Sequence, residues 1–137
     1  MADRPARPVR VLVLEDEDAN RALIRAIVNR ARDSDLPTIE LFEAGTLADA
    51  RAMMAREPFD VLLLDVRLPD GNGLDLATEF RGRPLAERPQ IIVLSASVLA
   101  TERAAALETG ADAFLAKPFG SRELIELLRR FAVRPAR

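Results

Sequence analysis

At 137 residues the chain is long enough to bury one hydrophobic core and too short for two ordinary domains. A hydrophobic share of 49% with a net charge of −2 describes a compact fold and offers no electrostatic reason for a nucleic-acid or anionic-membrane partner. The absence of cysteine and histidine excludes a disulfide framework, a thiol nucleophile, the commonest general base and zinc ligand, and any phosphohistidine carrier role.

Residues 1–8, rich in proline and arginine, are expected to form a flexible N-terminal tail, matched by a C-terminal tail over 133–137. Between them, 9–132 reads as one domain of alternating strands and helices. Strands are expected at about 9–14, 38–43, 60–64, 90–94 and 112–116, and helices at about 18–32, 46–56, 73–81, 100–109 and 121–131. In the first helix, Leu23 with Ile27 and Ile24 with Val28 form two adjacent apolar stripes at i,i+4 spacing. Either both lie within one broad core face, or one packs on the sheet and the other, Leu23 and Ile27 beside Asn20, is left for a partner. Thr46 and Asp49 have the spacing of a capping box that starts the second helix, and Pro58 ends it. Asp70-Gly71-Asn72-Gly73 is dense turn chemistry, and Gly110 stands where a left-handed helix cap is expected. The basic stretch from Arg81 to Pro89 carries no stacking aromatics and reads as a solvated loop. No apolar run is long enough to cross a bilayer and the first ten residues lack a signal-peptide core, so the cytoplasm is the expected location.

Short apolar runs without alternation are the mark of strands buried on both faces of a parallel sheet. Five strand–helix units of this length predict an α/β, doubly wound, five-stranded parallel sheet of order 2-1-3-4-5, flavodoxin-like, with helices on both faces. In such sheets ligands sit beyond the carboxyl ends of the strands. Here those ends are polar: 11–14 runs into Glu15-Asp16, 61–64 into Asp65, 91–94 into Ser95, and 113–116 into Lys117. Lys117 is the single lysine beside nineteen arginines. A chain that otherwise uses arginine points to a position needing a compact ammonium on a flexible stem.

Glu15, Asp16 and Asp65 gathered in one place would repel one another unless a cation intervened, and a hard, oxygen-coordinated ion such as Mg²⁺ answers that need. An aspartate beside a divalent cation can act as nucleophile and form an aspartyl-phosphate. The transferred phosphoryl group then wants a metal, an ammonium and a hydroxyl or N–H on its oxygens, the last two of which Lys117 and Ser95 can supply. Taken alone, Ser95 would be an ordinary polar residue closing a strand.

The segments Leu14-Glu15-Asp16-Glu17, Asp65-Val66-Arg67-Leu68-Pro69 with Gly73, Ser95-Ala96 and Lys117-Pro118-Phe119 together resemble the receiver domain of bacterial two-component response regulators, in its single-domain, CheY-like form. The resemblance runs from about Val9 to Phe131. It implies that Asp65 accepts a phosphoryl group from a phosphohistidine on a histidine kinase or phosphotransfer protein. It also implies that Asp16 and Asp65 bind Mg²⁺ directly, with Glu15 helping through water and the backbone carbonyl of Arg67 as a further ligand. Ser95 and Lys117 would bind the phosphoryl oxygens, Ser95 and Phe114 would act as the switch, and the first helix would dock the donor. Arg67 and Ser97 would flank the path of attack. Glu15 stands where aspartate is frequent, and Phe114, if not simply a core aromatic, can change rotamer but offers no hydroxyl.

The resulting expectation is a stand-alone receiver, not an enzyme beyond self-phosphorylation and autodephosphorylation, that signals through a downstream target protein. A Mg²⁺-dependent aspartyl-phosphate phosphohydrolase of the haloacid-dehalogenase type would need a second aspartate two residues beyond the nucleophile, where Arg67 stands. A phosphorylation-independent scaffold would not need the complete set of site residues. Nucleotide binding lacks a glycine-rich loop after the first strand.

Overall fold

The aliphatic runs 11–14, 61–64 and 91–94 form the centre of a parallel sheet in a computed structural model that describes residues 8–31, 36–96 and 99–132. Most of both tails, and Ser97, lie outside the described residues. The elements are β1 (Val9–Leu14), α1 (Asp18–Arg30), β2 (Ile39–Ala44), α2 (Leu47–Arg56), β3 (Val61–Asp65), β4 (Arg67–Leu68), β5 (Gly71–Asn72), α3 (Leu74–Arg81), a 3-10 turn (Leu85–Glu87), β6 (Gln90–Ser95), α4 (Ala100–Glu108), β7 (Ala113–Ala116) and α5 (Ser121–Ala132). The main sheet has the order β2-β1-β3-β6-β7 and every pairing in it is parallel. Counting only its five strands, this is the expected 2-1-3-4-5 arrangement. The turn after Asp65 contains more structure than the sequence suggests, because β4 and β5 close a two-stranded antiparallel ribbon. Both β3 and β6 run one residue further than expected, which places Asp65 and Ser95 inside the sheet ladder.

Alternate residues of the central strands feed two separate cores. Leu12, Leu14, Leu62, Leu64, Ile91 and Val93 face α2 and α3, whereas Val11, Val13, Val61, Leu63, Ile92 and Leu94 face α1 and α5. Period-two alternation therefore exists in direction, but both faces are covered and both demand apolar side chains. The anticipated local signals act as read for α2 and α4. Thr46 Oγ1 accepts from the Asp49 amide at 3.0 Å at the start of α2, and Gly110 adopts φ +105° just beyond α4. In the basic loop, the Arg88 guanidinium donates to the carbonyls of Arg81 and Arg83, folding the loop onto itself.

In α1 the two stripes are not separable. Ile24, Ile27 and Val28 are all buried in the core beneath the helix, and Leu23 is left 44% exposed. The expectation that Ile27 belongs to an exposed docking stripe is thereby corrected, since the helix rolls far enough onto the sheet to bury three of its four apolar positions. α5 is the most strongly two-faced helix, with Leu124 and Leu128 fully buried. Replacing Leu128 by alanine is expected to lower stability by about 2–5 kcal/mol, the cost of a core cavity. Leu107→Ala, on the exposed side of α4, should change it by no more than about 0.5 kcal/mol. Urea unfolding of the two variants checks this, and similar losses would show that α4 is buried more deeply than described.

Candidate functional site

Parallel pairing without stagger brings the polar strand ends to one edge. Leu14 sits beside Leu64, Asp65 beside Leu94, and Ser95 beside Ala116. The ladders continue one residue past the strands: the Glu15 amide donates to the Ala44 carbonyl at 3.0 Å and the Lys117 amide to the Ser95 carbonyl at 2.8 Å. Backbone hydrogen bonding thus sets the starting point of both charged side chains before any contact between them.

The Lys117 ammonium then reaches across the edge. Its Nζ lies 2.6 Å from Glu15 Oε1 and 3.2 Å from Asp65 Oδ2. Glu15 is fully buried and Asp65 is 7% exposed, whereas Asp16 is open to solvent. Carboxylate oxygens of Glu15, Asp16 and Asp65 all lie within 4.8 Å of one another. Glu15 is held from several sides. Its carboxylate accepts from the Glu17 amide at 3.1 Å and from the Asn20 side-chain amide at 3.3 Å, and its carbonyl accepts from the Arg21 guanidinium at 2.7 Å.

The electrostatics divide the two buried acids. Burial opposes ionisation of Glu15, but the Lys117 ammonium and the Glu17 amide outweigh it and hold the carboxyl below its usual value. For Asp65, burial and then repulsion from Glu15 push the carboxyl up to about 6, against the pull of Lys117. Lys117 also resists the loss of charge that burial favours, because both acids hold its proton. Three carboxylates with one ammonium leave a local charge of −2 when all are ionised, which one divalent cation would neutralise. The donor set is all oxygen and partly open through Asp16, which suits Mg²⁺ with water completing its shell.

The chain beyond Asp65 is pressed close to it. A Cβ at Gly73 would stand 2.0 Å from the Asp65 carbonyl oxygen, and the Gly73 amide donates to the Val66 carbonyl at 2.7 Å. Only glycine permits this approach. Arg67 lies between, in β4, with its side chain exposed.

The predicted residues therefore fall into groups. Glu15, Asp16, Asp65 and Lys117 come together directly, and Ser95 ends the neighbouring strand, 9% exposed. Phe114 is half-buried on β7, packed on the core beneath α2 and α3, with the Arg103 guanidinium 5.0 Å over its ring. Asn20 points its amide at Glu15 and Glu17. That inward role was not legible in the sequence, where Asn20 reads as a surface neighbour of Leu23. The Arg21 contact and the carboxylate of Asp70, which bonds the start of α2, also escaped it.

Because folding raises the Asp65 carboxyl from 3.8 to about 6, the folded chain holds this proton more tightly than the unfolded one. Its contribution to stability is complete below 3.8 and is lost as pH rises through about 6. In metal-free solution Asp65→Asn should therefore be the more stable form above about pH 7, by on the order of 1–2 kcal/mol. That gain should fade as the solution is acidified through the same interval. Thermal melts of both forms in chelator test it, and a pH-independent difference would remove burial and the Glu15 repulsion as its cause.

Residues 11–129 match the model of the family described as the response regulator receiver domain. The KDP operon transcriptional regulatory protein KdpE of Escherichia coli (strain K12) is 38% identical over 119 residues, covering 87% of this chain and 49% of KdpE. The chain thus spans about half the length of that relative. Among solved structures, a chain from Chloroflexus aurantiacus described as a response regulator superposes with a TM-score of 0.81 at 26% identity, over 93% of this chain and 100% of its own. The receiver domain of sensor histidine kinase PA1611 from Pseudomonas aeruginosa, solved with a magnesium ion coordinated in its active-site cleft, gives 0.76 at 28% identity, over 92% and 98%. With the strand order and the acidic edge already described, these matches place the chain in the receiver-domain family of two-component response regulators.

Proposed function

We propose that residues 9–132 form a receiver unit whose Asp65 accepts a phosphoryl group from a phosphohistidine on a histidine kinase or histidine phosphotransfer protein. The observation that carries this reading is the Lys117 ammonium bridging Glu15 and Asp65 at the edge of the acidic cluster. An Asp65 oxygen attacks phosphorus, the O–P bond forms as the donor's N–P bond breaks, and the departing imidazole takes up a proton. Lys117 and the Ser95 hydroxyl stabilise the charge on the transferred oxygens, so the site works by positioning and neutralisation. Asp16 and Asp65, with Glu15 through water and the Arg67 carbonyl, would hold Mg²⁺. When bound, that ion supplies positive charge to the carboxylates and phosphoryl oxygens and keeps Asp65 ionised at neutral pH.

Ser95 and Phe114 form the proposed switch, with Ser95 drawn toward the new phosphoryl group and Phe114 following into the space. Asn20 and the exposed Leu23 of α1 mark the face that meets the donor. The product is a signal and not a released metabolite: the phosphorylated chain acts on a downstream target protein, alone or as a relay intermediate, in the cytoplasm and without nucleic acid as partner. Arg67, standing where a phosphohydrolase of similar chemistry places its second acid, supports acceptor over hydrolase.

Incubation with Mg²⁺ and acetyl phosphate should add one base- and hydroxylamine-labile phosphoryl group by intact mass. The addition should be absent in chelator and in Asp65→Asn, and Lys117→Met should slow it about 100-fold. Uptake that persists in Asp65→Asn would assign the wrong nucleophile, and rapid phosphate release from unrelated phosphoesters would favour the hydrolase.

A further inference from the structure

The first four amides of α2 are all satisfied, but by two different parts of the chain. Thr46 takes two, its Oγ1 accepting from Asp49 at 3.0 Å and its carbonyl from Ala50 at 3.1 Å. The other two are taken by Asp70, more than twenty residues further on. Its Oδ1 accepts from the Leu47 amide at 2.8 Å and its Oδ2 from the Ala48 amide at 3.0 Å. These bonds hold the Asp70 carboxyl below its usual value. A carboxylate with one oxygen on each of two adjacent N–H groups is fixed in orientation as well as position.

Asp70 stands at the turn of the β4–β5 ribbon, between the paired Leu68 and Gly71. The ribbon lies hard against the helix there: a Cβ on Gly71 would come within 2.9 Å of the Leu47 side chain. At its other end the ribbon is pressed under β3 by the close approach of Gly73 to the Asp65 carbonyl. Arg67 lies between these two anchors. Its backbone carbonyl belongs to the proposed metal set, and it has no strand of the main sheet to hold it.

We infer that Asp70 is a positioning residue for the metal site, clamping the β4–β5 ribbon to the first turn of α2 so that the Arg67 carbonyl is held ready for the divalent cation. This inference rests on the metal reading above. It does not require Asp70 to touch the ion, and it makes α2 part of the support of a site to which that helix gives no ligand.

Three variants separate positioning from helix stability. Asp70→Ala releases the ribbon and uncaps α2, Asp70→Asn retains one carbonyl acceptor, and Thr46→Ala uncaps the same helix without touching the ribbon. Calorimetric titration with Mg²⁺, well below the unfolding temperature of each variant, should show about tenfold weaker binding for Asp70→Ala, as expected when support of a metal ligand is lost. Asp70→Asn should fall between it and the parent, and Thr46→Ala should bind as the parent does. Without metal, the Arg67 carbonyl ¹³C resonance should move in Asp70→Ala and stay in place in Thr46→Ala. Parent-like Mg²⁺ binding by Asp70→Ala, or equal weakening by Thr46→Ala, overturns the positioning role while leaving the metal site intact. A parent chain that binds no Mg²⁺ overturns the metal reading and this inference together.

Discussion

Two carboxylates at the end of a parallel sheet, one of them wholly without solvent, are tolerable only because an ammonium lies between them. Glu15 and Asp65 are brought together by strand pairing that serves the two hydrophobic cores, and the fold cannot separate them without shifting β1 against β3. Lys117 relieves the repulsion in part, and the relief is unequal: the Glu15 carboxyl is held below its usual value and that of Asp65 is pushed above it. The proposed acceptor, Asp65, is therefore the acid whose ionisation the fold leaves incompletely compensated. An incoming divalent cation would meet a site whose remaining negative charge already favours it.

Arginine could not serve in place of Lys117. A guanidinium is planar and broad, and the gap between Glu15 Oε1 and Asp65 Oδ2 is filled by one nitrogen at 2.6 and 3.2 Å. The single lysine in an arginine-rich chain is thus explained by the shape of the space it occupies. The same geometry accounts for the burial of Glu15: with Glu17, Asn20 and Lys117 bonded to its carboxylate, its oxygens do not need water.

The fold was legible in the sequence wherever a strand carried four consecutive aliphatic residues, because only a sheet covered on both faces uses such runs. Site residues immediately after those runs were legible for the same reason: topology, not local sequence, collects them. What escaped notice shares a different physical character. The burial of Ile27 depends on how far α1 rolls over the sheet, which helical spacing alone does not specify. Asn20 and Asp70 act through hydrogen bonds to partners chosen by tertiary packing, and polar residues at a helix start or in a turn look alike whether they face solvent or a neighbouring loop. The ribbon after Asp65 has only turn chemistry in the sequence, because two-residue strands carry no periodicity.

The thin anchoring of α4 has a mechanical meaning. Ala106 is the only buried residue in that helix, while its neighbour α5 buries Leu124, Leu128 and Ala132. A helix with one buried side chain can slide or fray at smaller free-energy cost than one that buries three. Its Arg103 rides on the Phe114 ring, so a rotation of that ring would be passed to a lightly buried helix. Movement of that ring would therefore be felt at the outer surface of α4 before it disturbed the more deeply seated α5.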